Sequence, residues 1–377
     1  MLDIKRSVEP FLLLGILTAG LVGFSGCDSC GGERAPRERE PLSLIPSDAW
    51  IVASVELGPV RASPAYKRAI KQGNPTAYYL GSECTYDPLP DIDRVWVGAG
   101  DGFERGLGAV IAFGPVDREK VLECFRANMR RRGLSLEEVE MEGFTVYTPG
   151  PGRPHLAWLD SQTLVVADQE NARKVLALEK GKGTSIRSNE KLLKLWERAS
   201  KGRDIALAVQ PTKEADKRLA NLVPKNYAGV GTATEALVGL RFMKGLDILV
   251  SARLGSQVEA EKLRGVLTHD INRWKDHDLV VIAGLSGHLR AIRVESAGPE
   301  VSASAHLTER QVDTLVRFTV DSVDEIMRDS DPERALKRRL RGERDGGPRQ
   351  GDGGAEAGAA SADGGAVPGD GSPTKAP

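Results

Sequence analysis

Any chemistry in this 377-residue chain must be drawn from a small stock of reactive side chains, since it holds only five histidines and four cysteines. The histidines are His155, His269, His277, His288 and His306. No two of them stand four residues apart, the spacing that turns two imidazoles onto one helix face for zinc, and no H-E-x-x-H occurs, so no metal site is expected. Gly181-Lys182-Gly183-Thr184-Ser185 has the letters of a phosphate loop in the wrong order and reads as a helix stop and turn. Gly98, Gly100 and Gly102 alternate as in a dinucleotide fingerprint but lack its third glycine and fall between two strand-like runs, which is hairpin chemistry. Ser286 and His288 lie together in Gly284-Leu285-Ser286-Gly287-His288, yet a nucleophile elbow requires G-x-S-x-G at a strand-to-helix turn, and here the following residues read as a strand. Asp91 and Asp93 offer too few oxygens for calcium and are expected to cap the turn into the next strand. From these patterns we expect no catalytic residue and no cofactor.

The cysteines fall into two pairs that need separate explanations. Cys27 and Cys30 follow an amino-terminal stretch in which Lys5 and Arg6 precede an uncharged run from Phe11 to Phe24, then Ser25 and Gly26. That run is shorter than the roughly 20 residues a membrane-spanning helix needs, and it fits the apolar core of an export signal. Phe24-Ser25-Gly26-Cys27 resembles the lipobox of bacterial lipoproteins, departing from it at Phe24, where the family usually has Leu. The resemblance implies that residues 1–26 are a signal peptide removed at Cys27, whose thiol carries a diacylglyceryl group. Two acyl chains, at about 0.8 kcal/mol per buried methylene, hold a protein on a bilayer. The residues by themselves also admit a secretory signal cleaved near Ser25, or an uncleaved anchor helix. Residues 27–41, rich in Gly, Pro and charge, read as a tether in which Cys30 is an exposed thiol or an intermolecular partner.

The elements beyond the tether set the frame for the second pair. A β-rich run at Ala49 to Leu57 is followed by a helix opened by Ser63-Pro64, a hairpin of Asp93 to Gly98 with Leu107 to Phe113, and a helix capped by Asp117. That helix places Val121, Cys124, Phe125 and Met129 on one face and stops at Gly133. β runs at Val139 to Tyr147 and Leu156 to Ala167 follow, then helices Asn171 to Leu178 and Glu190 to Ala199. The order recurs from Ile205: a strand to Val209, a helix Lys213 to Leu222, a hairpin of Ala236 to Met243 with Leu246 to Ala252, and a helix Val258 to Trp274. Strands Leu289 to Val294 and Val301 to Ala305 and a helix from the Thr308/Gln311 capping box complete it. The expected fold class is therefore α+β: two tandem β-α-β-β-α-β-β-α units, residues 42–200 and 201–328, with helices packed on antiparallel sheet. The spacing leaves open whether the halves are separate domains or share one sheet. Residues 329–344 read as a basic helical extension and 345–377 as a disordered tail.

In an exported chain Cys84 and Cys124 are natural disulfide partners, the alternative being a buried thiol at Cys124 and an exposed one at Cys84. The stretch Cys84-Thr85-Tyr86-Asp87-Pro88-Leu89-Pro90-Asp91-Ile92-Asp93 and the helix Asp117-Arg118-Glu119-Lys120-Val121-Leu122-Glu123-Cys124 resemble segments of a group of uncharacterised bacterial envelope lipoproteins. The likeness implies the same address and brings no activity. With 52 basic against 53 acidic side chains there is no field of one sign to gather nucleic acid. The expectation is a lipid-anchored, non-catalytic protein at the inner or outer membrane of a bacterial envelope, its body in the periplasm or at the surface. Its partners would be the membrane, through Cys27, and an envelope protein or wall component. The other readings are an envelope hydrolase with a scattered site and a carrier of apolar ligands.

Overall fold

Strand propensity, capping residues and helix stops place the elements where a computed structural model of the chain has them, within the described residues 40–64, 66–67, 84, 86–100, 108–150, 152–213, 233–282 and 284–317. The lipidation candidate Cys27, the tether up to residue 39, Cys30, most of the helix expected from Lys213, the basic extension and the tail lie outside these residues.

The strands are β1 (Ile51–Glu56), β2 (Arg94–Ala99), β3 (Ala109–Phe113), β4 (Glu137–Met141), β5 (Phe144–Thr148), β6 (His155–Asp160), β7 (Thr163–Ala167), β8 (Ile205–Val209), β9 (Glu235–Met243), β10 (Gly245–Arg253), β11 (Arg293–Ala297) and β12 (Glu300–Thr308). Interleaved with them are α1 (Leu57–Ala62), α2 (Arg118–Arg131), α3 (Gln169–Glu179), α4 (Glu190–Ser200), α5 (Gln257–Trp274), α6 (Asp278–Ile282) and α7 (Ser286–Arg290). All twelve strands join one antiparallel sheet in the order β11-β12-β10-β9-β8-β1-β2-β3-β7-β6-β5-β4. The fold is thus α+β, and its halves share the sheet through β1 and β8, where Val52 opposes Ala208 and Val55 opposes Ile205. Outward from that seam, β1-β2-β3-β7-β6 on one side matches β8-β9-β10-β12-β11 on the other. The repeat of elements is therefore a repeat of topology.

Strand alternation sorts the side chains onto two faces. One face carries Val52, Trp96, Ile111, Val165 and Ala208 and is covered by α3, α4 and the turn Pro41–Leu44. The fit of α4 follows from its pattern: Leu192, Leu195 and Ala199 recur at three and four and are buried, and Trp196 packs on Trp96 with ring centroids 4.9 Å apart. Asn189 caps this helix, accepting from the Leu192 N–H at 3.2 Å. On the opposite face Val250, Val238, Leu207, Ala53, Val97, Val110 and Val166 form one apolar cross-strand row through the middle of the sheet. The α2 side chain Leu122 packs beside Leu164 and Trp158 at one end of that face, and Ala260 of α5 packs on Val301 at the other.

The halves differ after their last paired strands. The helix following β7 crosses to the first face, whereas the helical residues 309–317 after β12 stay on the second, with Val312 against Leu246 and Leu307. Apart from Leu237 and Leu249, which pack into the first-face core, the first face of β9, β10 and β12 is polar. Arg198 and Arg253 pair there with Glu300, at 2.5 and 3.7 Å, and Asp247 is held by Arg241 at 2.6 Å and His306 at 2.7 Å.

Three sequence expectations change. The runs Val139 to Tyr147 and Leu156 to Ala167 each fold into two strands, so among the described residues the first half has seven strands and the second five. The run Leu289 to Val294 is not one strand: residues Ser286–Arg290 are helical and β11 begins at Arg293. A tertiary contact decides this, because Gln311 Nε2 donates to the Gly287 carbonyl and its own carbonyl takes His288 Nε2. Helices α1 and α6 were not expected from the sequence.

Candidate functional site

The body cysteines are bonded: Cys84 and Cys124 form a disulfide across 40 residues, with their Cα atoms 4.8 Å apart. Around it the conspicuous polar residues are engaged in building the loop between Cys84 and β2. Tyr86 donates its hydroxyl to Asp91 Oδ2 at 2.5 Å and accepts the Asp117 N–H at 3.0 Å, which ties the loop to the start of α2. Burial, and then the bond to Asp91, push the Tyr86 phenol above its ordinary range. Asp117 caps α2 by accepting the Lys120 N–H at 3.1 Å, and that bond first, opposed by slight burial and helped by the Lys120 ammonium, holds its carboxyl below the ordinary value. Arg61 donates Nη1 to the carbonyls of Leu89, Pro90 and Ile92 at 2.7 to 2.9 Å, with Asp93 at 3.7 Å. Asp91 and Asp93 are therefore separately engaged.

The five histidines do not converge. His288 gives its Nε2 to the Gln311 carbonyl at 2.6 Å and so is not poised on Ser286. His306 sits on Asp247, His277 stacks beside Trp274 at 5.0 Å, and His269 is exposed on α5. Among the described residues no group of three or more His, Cys, Asp or Glu is placed to hold a metal, and no helix is long and apolar enough to cross a membrane. Gly181 adopts φ +73° in the turn after α3, as a helix stop requires, and Lys182 reaches Glu142 at 3.2 Å.

The remaining histidine, His155, lines a cleft. This depression, about 430 Å³, lies over the edge of the sheet between α3 and β4. Val139, Met141, Thr148, His155, Gln169, Arg173, Glu137, Glu140 and Glu142 line it, and alternation along β4 turns the Glu137 side chain to the same face as Val139 and Met141 and the Glu140 side chain to the other. Each is placed by a local signal. The Asp168 cap, accepting the Asn171 N–H at 2.9 Å, starts α3 just before Gln169 and so sets Arg173 one turn further on. The β4–β5 turn uses Glu142 at φ 51° and Gly143 at φ 75°, a pair of left-handed residues that suits a tight hairpin. Thr148, which ends β5, accepts the Gly150 N–H at 3.1 Å and so turns the chain toward β6.

His155 is only 4% exposed. Its Nδ1 lies 2.9 Å from the Arg153 carbonyl, which can only accept, so Nδ1 carries a proton, and in the tautomer with a single proton Nε2 is an acceptor. The sequence singled out His155 but not Arg173 or Glu137. Neither spacing nor periodicity links residues contributed by two hairpins and a helix.

No protein-family model and no curated protein matches the chain. Two solved structures resemble it: crystal form III of TP0453 at 10% identity and TM-score 0.45, and crystal form I of TP0453 at 12% identity and TM-score 0.41. Each covers 75% of this chain, and the matches span 99% and 98% of those chains respectively.

Proposed function

We propose that the chain is an exported, lipid-anchored protein of a bacterial cell envelope that acts by binding and not by catalysis. The observation that carries this reading is the Cys84–Cys124 disulfide, because such bonds form and persist on the oxidising side of the inner membrane and are rare in the cytosol. It supports export independently of the amino terminus, where the order basic, apolar, small, Cys makes Cys27 the lipid site and residues 28–40 the tether. The membrane is then one partner, through the anchor, and an envelope protein or wall component docks on the body. The engagement of Asp91, Asp117, His288 and His306 in structural bonds supports binding over catalysis. Labelled palmitate should enter the full chain in a bacterial host and disappear in Cys27→Ala. Labelling that persists in that variant would refute the anchor, and free thiols at both Cys84 and Cys124 in exported, oxidised protein would refute the address.

A further inference from the structure

The cleft between α3 and β4 holds more ionic capacity than its own contacts use. Glu142 at its rim is paired with Lys182, and neighbouring Glu138 lies 3.7 Å from Arg126. Left over are the carboxylate of Glu137 and the guanidinium of Arg173, both exposed and neither with an ion pair among the described residues. Beneath them the buried His155 presents Nε2 as an acceptor with no protein donor among the described residues. A ring nitrogen without a protein donor is completed by water or by the donor of a ligand. Anionic and neutral acceptors collect an ammonium, while a guanidinium matches a carboxylate or phosphate by its fork of donors. The apolar floor of Val139 and Met141 accommodates a short carbon body between them.

We infer that this cleft binds a small zwitterion, with its ammonium held by Glu137 and His155 and its anionic end by Arg173. The volume, about 430 Å³, lies in the range of small-molecule sites and exceeds what a single inorganic ion fills. The anionic end is either the carboxylate of an amino acid or short peptide, or the phosphate of a headgroup. The inference rests on the reading of the chain as a binding protein but not on the anchor.

The test is calorimetric titration of the full-length protein in detergent with alanylalanine, phosphoethanolamine, acetate and ethylamine. One of the two zwitterions should bind, and which one identifies the anionic end. Acetate and ethylamine, each carrying half of the charge pattern, should bind more weakly than that zwitterion. Losing a hydrogen bond to a charged group weakens binding by about tenfold or more, and this is the effect expected of Arg173→Gln and of Glu137→Gln, both exposed and therefore tolerant of substitution. His155→Gln should weaken it as well, with circular dichroism establishing that the variant is folded. Absence of heat with either zwitterion at millimolar concentration overturns the inference, and so does binding that neither exposed variant weakens. Acetate alone binding as tightly as a zwitterion also overturns it, by reducing the cleft to an anion site. If the titrated zwitterion is recovered chemically altered, the site stands and the non-catalytic reading falls.

Discussion

Removing the Cys84–Cys124 bond tests the energetic claim made for it. The cross-link closes a loop of 40 residues in sequence, and the loss of chain entropy in the unfolded state for such a loop is about 4 kcal/mol at 25 °C. That is a large fraction of the roughly 5–15 kcal/mol by which native domains exceed their unfolded chains. The variant Cys84→Ser with Cys124→Ala suits the burial of the second position, where Ala introduces no unpaired hydroxyl. For a body of this size each kcal/mol moves the melting temperature by roughly 2–4 °C, so the double variant should melt about 8–16 °C lower. Urea unfolding followed by circular dichroism should show the midpoint fall. Wild-type protein unfolded in the presence of reductant supplies the same comparison without a change of side-chain volume, and should lose a similar amount. A loss below about 1 kcal/mol in both experiments would refute the reasoning, because loop-closure entropy of that length would then not be acting.

Other outcomes follow from the polar face of β10 and β12. Asp247 is held below its ordinary value of 3.8 by the bond from His306 first and by Arg241 second. At Glu300 burial pushes upward, but the bonds from Ser251 and Arg198, with the charge of Arg253, outweigh it and the net shift is downward from 4.5. A carboxylate with a depressed folded pKa contributes stability above its unfolded pKa and loses it as pH falls through the folded value. Unfolding midpoints of the wild type should therefore fall below pH 4.5, and Asp247→Asn combined with Glu300→Gln should flatten that limb; an unchanged acid limb would count against the assignment. Gly114 has φ +148°, and a methyl group there would collide with the Asp91 carbonyl, while its N–H is fixed on the Gln162 carbonyl at 2.9 Å. Gly114→Ala should cost at least about 2 kcal/mol in urea unfolding, and a neutral result would show that the loop before β2 yields.

Where a residue carries its own local instruction, the sequence was legible. Asp117 and Asp168 cap α2 and α3, and the Thr308/Gln311 box closes with both of its bonds, at 2.9 and 3.4 Å. The strand at Ile205–Val209 has the bounds its apolar run predicts. The split of Val139 to Tyr147 escaped because its turn places Glu142, not Asn or Asp, in a left-handed conformation, which the Lys182 contact and Gly143 accommodate. The second split hides in Asp160, whose side chain accepts the Gln162 N–H at 2.8 Å and makes the turn without a glycine. Leu289 to Val294 has the composition of a strand, but its first turn is taken by contacts with residue 311, more than twenty positions away. The cleft was illegible for a related reason. His155 lines one cleft with Arg173 and Glu137 only because β4 to β7 fold back on themselves and α3 returns over them.

The seam between β1 and β8 has a consequence for how the chain comes to be folded. A chain that leaves a ribosome or an export channel amino terminus first completes β1 through β7 while Ile205–Val209 is still to come. Until β8 arrives, one side of β1 presents its backbone groups unpaired, in the middle of what will be the sheet and not at its charged rim. During that interval the nascent half offers a template that a second nascent half fits nearly as well as its own continuation, since β8 holds the place in the later half that β1 holds in the earlier. Truncation after about residue 200 would make this interval permanent and leave a fragment that pairs with itself or requires an escort.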